Sequence, residues 1–142
     1  MFLGEFQHSI DDKGRIKLPA KLKDAFDDGA VITERLDGSL GLYPLAAFEE
    51  IARRFAEMDE FDPNQRKMRE DVGSSSEVVT MDKGGRIVIP SRMRDITGIE
   101  NDVYINGNFT YLTIWPKESW EERRKENRET REVRARNMAQ KK

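Results

Sequence analysis

An α+β fold made of two tandem copies of one β-rich half-unit is what this sequence predicts, on three observations. Residues 11–24 line up without a gap on residues 82–95, sharing D-x-x-G-R-I-x-[LI]-P-x-[KR]-[LM]-[KR]-D. Residues 31–44 then match residues 103–116, with Leu40 on Leu112, Leu42 on Ile114 and Tyr43 on Trp115, before Phe48-Glu-Glu meets Trp120-Glu-Glu. Agreement at this many fixed positions marks a duplication. The periodicities supply the third observation. Ile16 and Leu18, like Ile87 and Ile89, alternate as in half-buried strands, whereas Phe48, Ile51, Ala52, Phe55 and Met58 fall at helical spacing.

Each copy reads, in order, as strand, turn, strand, short helix, two strands and a closing helix. Short strands at 8–10 and 78–81 lead into the motif. Gly14 and Gly85 sit where a tight turn can require a positive φ, which a residue without Cβ adopts freely. Pro19 and Pro90 keep the preceding residue extended and can open a helix at its first position. Lys21-Leu22-Lys23 and Arg92-Met93-Arg94 then flank one apolar anchor with bases. The amphipathic face from Phe48 to Met58 is expected to pack into the core. Asp62-Pro63 has the form of an N-cap followed by N1, which starts another short helix. Residues 72–76, Val-Gly-Ser-Ser-Ser, read as a flexible joint. Ser119 and Glu122 have capping-box spacing and open a last helix. Beyond Trp120 its large apolar residues are Val133 and Met138, so it is expected to be solvated and to fray. The resulting divisions are 1–58 (first repeat with its helix), 59–76 (connector), 77–120 (second repeat) and 121–142 (charged tail).

Composition excludes several function classes. A chain of 142 residues buries roughly 70% of its unfolded surface without staples. Absence of cysteine removes thiol chemistry and zinc-finger ligation and suits a reducing compartment. One histidine, His8, leaves little for a metal cluster or a catalytic relay. No run approaches the roughly 20 apolar residues that span a bilayer. Gly84-Gly85 lacks the frame of a phosphate-binding loop and reads as a β-turn. Adjacent carboxylates at Glu49-Glu50 and Glu121-Glu122 diverge by about 100° on a helix, which makes them poor acid–base pairs. The expectation is a cytoplasmic protein with no catalytic residues, metal, cofactor, small-molecule substrate or membrane partner.

The net charge of −2 conceals a segregation. Residues 49–62 hold six acids against two arginines, while residues 121–142 hold nine bases against five acids. The motif regions are also locally basic, and for DNA a local patch matters more than the average. Asp11 and Arg15, like Asp82 and Arg86, stand four positions apart across a glycine turn and can meet. Such a pair is compatible with a structural clasp, and equally with a guanidinium pre-oriented for guanine edges or phosphates. Lys13 and Lys83 fit phosphate contacts. Copy one carries five bases in its motif region and copy two four, which leads to the expectation that Arg15 matters more than Arg86.

The tandem D-x-x-G-R-I-x-[LI]-P pattern resembles the swapped-hairpin β-barrel of the SpoVT–AbrB superfamily. Two copies in one chain, from Phe2 to about Trp120, are similar to the MraZ family of bacterial transcriptional regulators. The resemblance implies a pseudo-two-fold swapped-hairpin barrel with flanking helices, assembled into a ring-like homo-oligomer. It also implies binding to double-stranded DNA at direct repeats near a division and cell-wall promoter, generally with repression. The family's paired motif residues fall on Asp11 and Arg15 and on Asp82 and Arg86, with Gly14 and Gly85 in the turns. Further contacts in relatives fall here on His8 and Lys23, and on Val79 and Arg94; Asp24 and Asp95 stand where some relatives carry a base. Two other readings remain: an antitoxin-like module that binds both DNA and a protein, and a non-specific RNA binder. An antitoxin tail is expected to be acidic and to follow a single half per chain, whereas here it is basic and the halves are fused.

Overall fold

The computed structural model describes residues 1–141; Lys142, the last residue of the expected tail, lies outside them. Copy one runs β1 (Glu5–Ser9), β2 (Arg15–Lys17), a 3₁₀ turn (Lys23–Phe26), β3 (Ala30–Glu34), β4 (Leu40–Pro44) and α1 (Leu45–Ala56). Helix α2 (Pro63–Ser74) leads into copy two: β5 (Ser76–Val79), β6 (Arg86–Val88), α3 (Ser91–Thr97), β7 (Asp102–Asn108), β8 (Tyr111–Pro116) and α4 (Lys117–Glu129). Helix α5 (Arg131–Gln140) follows, with Lys141 as the last described residue.

The two copies exchange strands. A six-stranded antiparallel sheet has the order β1-β7-β8-β4-β3-β5, so the first strand of each copy pairs with the hairpin of the other. β4 and β8 meet at the centre, with Leu42 opposite Leu112. β2 and β6 form a separate antiparallel ribbon, Ile16 facing Ile87. Sheet and ribbon enclose one core that draws on both copies, including Ile16, Leu18, Ile32, Leu42, Ile87, Ile89, Ile105 and Ile114. The α+β class read from the repeat and the pseudo-two-fold exchange implied by the resemblance are present.

The gapless match of the hairpins is off by one residue in β3. Ala30 pairs with Pro44 and Val103 with Pro116, so Ala30, not Val31, is the counterpart of Val103. β1 and β5 agree: His8 lies opposite Val103, and its counterpart Val79 lies opposite Ala30. Copy one therefore has one extra residue in its hairpin. Side chains alternate along a strand, so that slip decides which residues point inward. Ala30 and Ile32 join the core with Val103 and Ile105, while Val31 and Tyr104 are buried on the other face.

Other expectations need correcting. The apolar face of α1 does not enter the core, and no residue of α1 is fully buried. Alternate strand residues already fill the space between sheet and ribbon. α1 covers the opposite face of the sheet, Phe48 meeting Tyr43 edge-on at 5.5 Å. α4 does the same in copy two, with Trp120 5.7 Å from Trp115. The joint at 72–76 is ordered: α2 continues through Gly73 and Ser74, and only buried Ser75 separates it from β5. Asp62 caps α2 as expected, accepting from the Asn64 amide. The Ser119–Glu122 box is unused, because α4 starts two residues earlier, directly after Pro116. The terminal helix is interrupted at Thr130 and stays helical to Gln140, with every α5 residue exposed.

Candidate nucleic-acid interface

The ribbon and its two glycine turns gather most of the residues the repeat singles out. In copy one the Asp11 amide donates to the Arg15 carbonyl at 2.9 Å, and the Gly14 amide to the Asp11 carbonyl at 3.0 Å. The Asp11 carboxylate accepts from the amides of Lys13 (3.0 Å) and Arg15 (2.8 Å) through Oδ1, and from Arg15 Nε through Oδ2 at 2.8 Å. Copy two repeats this: Asp82 accepts from the amides of Gly84 (2.9 Å) and Arg86 (2.9 Å) and from Arg86 Nε at 3.1 Å. Both turns need their glycine, since Gly14 and Gly85 each adopt φ +77°.

This geometry meets both readings of the Asp–Arg pair. The carboxylate ties the turn together and engages each arginine through Nε, the nitrogen nearest the chain. The terminal nitrogens of the fork are thereby held in a set direction. The Arg15 amide, aided by the Arg15 side chain and the Lys13 amide, keeps the Asp11 carboxyl below its ordinary pKa. The Arg86 amide and guanidinium and the Gly84 amide do the same for Asp82. Both carboxylates are therefore charged at neutral pH.

Each turn is completed by the other copy. Arg94, on α3 of copy two, lies over the turn of copy one, its Cζ 2.8 Å from where a Cβ on Gly14 would stand. Its Nε donates to the Ile89 carbonyl at 3.1 Å. Lys23 of copy one lies over the turn of copy two, its Cδ 3.3 Å from a Cβ position on Gly85. The ribbon locks the turns together, as the Leu18 amide donates to the Gly85 carbonyl (2.9 Å) and the Ile89 amide to the Gly14 carbonyl (2.8 Å). Lys13 and Lys83 stand exposed on the turns.

His8 is half-buried on β1, within the field of Lys17. Partial burial, then that positive charge, lower its pKa from 6.5. Arg92 turns away from the ribbon face towards Glu34 (3.8 Å) and Glu77 (3.6 Å). Lys17 is the residue the motif reading passed over as a site. Ribbon register places it opposite Arg86, and Arg15 opposite Val88, so Arg15, Lys17 and Arg86 share the solvent face. Period-2 alternation from Arg15 was the available clue.

Comparison with known proteins agrees with this architecture. A family model described as "MraZ protein, putative antitoxin-like" matches twice, over residues 1–71 and 74–142. A "Transcriptional regulator MraZ" of Thermomicrobium roseum is 38% identical over 120 residues, 84% of either chain. Proteins of the same name from Herpetosiphon aurantiacus and Mycobacterium tuberculosis are 35% and 36% identical over 121 residues, 85% of either chain.

Proposed function

The chain belongs to the MraZ family, and we propose that it is a sequence-specific DNA-binding transcriptional regulator that docks its β2–β6 ribbon on the duplex. The observation that carries the proposal is the pair of clasped arginines on one exposed ribbon face, with Lys17 directly opposite Arg86 on that face. A two-stranded ribbon fits the major groove, where a fixed guanidinium fork can take two acceptors of guanine. Arg15 and Arg86 are assigned to base edges. Lys13, Lys17, Lys83, Lys23 and Arg94 are assigned to phosphates, with His8 at the margin. Asp11, Gly14, Asp82 and Gly85 orient the heads. The relatives' name, transcriptional regulator, supports the regulatory role.

One chain presents a single ribbon, which offers few base contacts. A ring-like homo-oligomer reading direct repeats would multiply affinity through effective concentration. We propose that assembly, with repression of a promoter of its own operon, in the cytoplasm on the nucleoid. No helix among the described residues is long and apolar enough to cross a membrane. An enzymatic role is not proposed.

Gel shifts with DNA from upstream of its own gene, scrambled DNA and single-stranded RNA test the reading. Preference for the upstream DNA is expected, and Arg86→Ala is expected to cost about 1–3 kcal/mol there and much less on scrambled DNA. Equal affinity for all three probes overturns it in favour of non-specific binding.

A further inference from the structure

Although their backbones agree, the two arginine heads are held differently. Arg86 engages only the carboxylate of its own turn, Asp82, through Nε at 3.1 Å. Arg15 engages its own Asp11 at 2.8 Å and also reaches across the ribbon, its Nη1 3.7 Å from Asp82 Oδ2. No matching contact joins Arg86 to Asp11 among the described residues. Exposure follows: the Arg15 side chain is 24% accessible and that of Arg86 41%.

A sequence difference accounts for this. Two residues before Arg86 stands Gly84, and the guanidinium folds back over it, Nη2 being 3.1 Å from where a Cβ would sit. The same position in copy one is Lys13, whose Cβ fills that space. The Arg15 guanidinium cannot take that place over its turn: it keeps Nε on Asp11 and turns Nη1 towards Asp82.

We propose that Asp82 is a shared positioning residue that sets the direction of both arginines, one from each copy, so that one carboxylate couples the two DNA-reading turns. Asp11 positions Arg15 alone. The inference rests on the DNA-binding reading above and reverses the weight that base counting places on copy one.

The test is selection of random DNA duplexes by the wild-type protein, then titration of the enriched duplex and its single-base variants. Arg15→Ala and Arg86→Ala identify the base position each arginine reads. Asp82→Asn keeps an acceptor for the Gly84 and Arg86 amides, and is expected to flatten discrimination at both positions. A bidentate contact discriminates roughly 10- to 100-fold, so the loss is readable at each. Asp11→Asn is expected to flatten only the Arg15 position. If Asp82→Asn affects the Arg86 position alone, the shared role is overturned. Melting curves are recorded beside the titrations, because a purely structural role would lower Tm while leaving the ranking of base variants intact. Should Asp82→Asn unfold, Asp82→Glu displaces the charge by one methylene and is held to the same two-position criterion. If the wild-type protein enriches no duplex, the DNA reading itself falls, and this inference with it.

Discussion

The two glycine turns make the same five hydrogen bonds, yet the segments that follow them differ in kind. After Pro90, copy two forms a seven-residue α-helix closed by Gly98 in the left-handed region. After Pro19, copy one forms only a four-residue 3₁₀ turn, anchored by buried Phe26 stacked 5.5 Å from Phe2. A turn in which a carboxylate answers two amides and a guanidinium leaves little freedom. A short helix whose task is to hold one apolar anchor and one base over the opposite turn tolerates several shapes. The turns are thus the shared element of the two copies, and their surroundings are where the copies depart from each other.

The strongest challenge to this equivalence lies beneath the turns. Ile16 and Ile87 face each other across the ribbon, 0% and 1% exposed. Ile16→Ala and Ile87→Ala are each expected to cost about 2–5 kcal/mol, because each deletes the floor of the same core. Chemical denaturation measures both; a marked inequality would mean that the ribbon strands do not share their burial. Next in size are the glycines. Gly14→Ala and Gly85→Ala each force a Cβ into a left-handed conformation, at about 1–2 kcal/mol. Gly14→Ala is expected to be the worse, since its Cβ meets the Arg94 guanidinium at 2.8 Å while that of Gly85 meets the Lys23 stem at 3.3 Å. The reverse order of Tm values would show that Arg94 moves aside more easily than Lys23.

Much of this was legible in the residues. The repeat announced the tandem halves, and the Asp–Gly–Arg spacing announced the clasp, because both are local and short-range. The extra residue in the β3–β4 hairpin was hidden: Val31 and Val103 agree in identity, and only pairing partners reveal that Ala30 takes the equivalent place. The α1 stripe was correctly apolar but misassigned, since spacing says which face is covered and not by what. Arg94 over Gly14 and Lys23 over Gly85 arise from strand exchange between sites far apart in sequence, which no local pattern encodes.

Lys17 sharpens the comparison on the binding side, because its counterpart in copy two is the apolar Val88. If Lys17 holds a phosphate, Lys17→Ala weakens binding to all duplexes about equally and flattens the slope of log K against log salt by roughly one unit. Val88→Lys then adds a contact and steepens it by a similar amount. A change in base preference in either variant would instead place this ribbon position at a base edge.

The smallest expected effect concerns His8, whose counterpart Val79 cannot titrate. Partial burial and the charge of Lys17 lower the folded-state pKa of His8 below 6.5. Well above pH 6.5 the imidazole is neutral in both states and contributes no pH dependence. As the pH falls through the unfolded value, the unfolded chain takes up a proton that the folded chain resists. Stability therefore falls with acidification, and it levels off only below the folded pKa. Asp11 and Asp82 act in the other window: their folded pKa values are lowered from 3.8, so their clasps remain intact here and weaken only at stronger acidity. Between pH 7.5 and 5.5 His8 is the only histidine that can respond. The wild-type Tm is expected to fall modestly over that range, and the Tm of His8→Gln to fall less. A wild-type Tm that rises on acidification would mean that protonated His8 gains a partner in the folded chain, and the two β-strand positions would then differ in charge as well as in size.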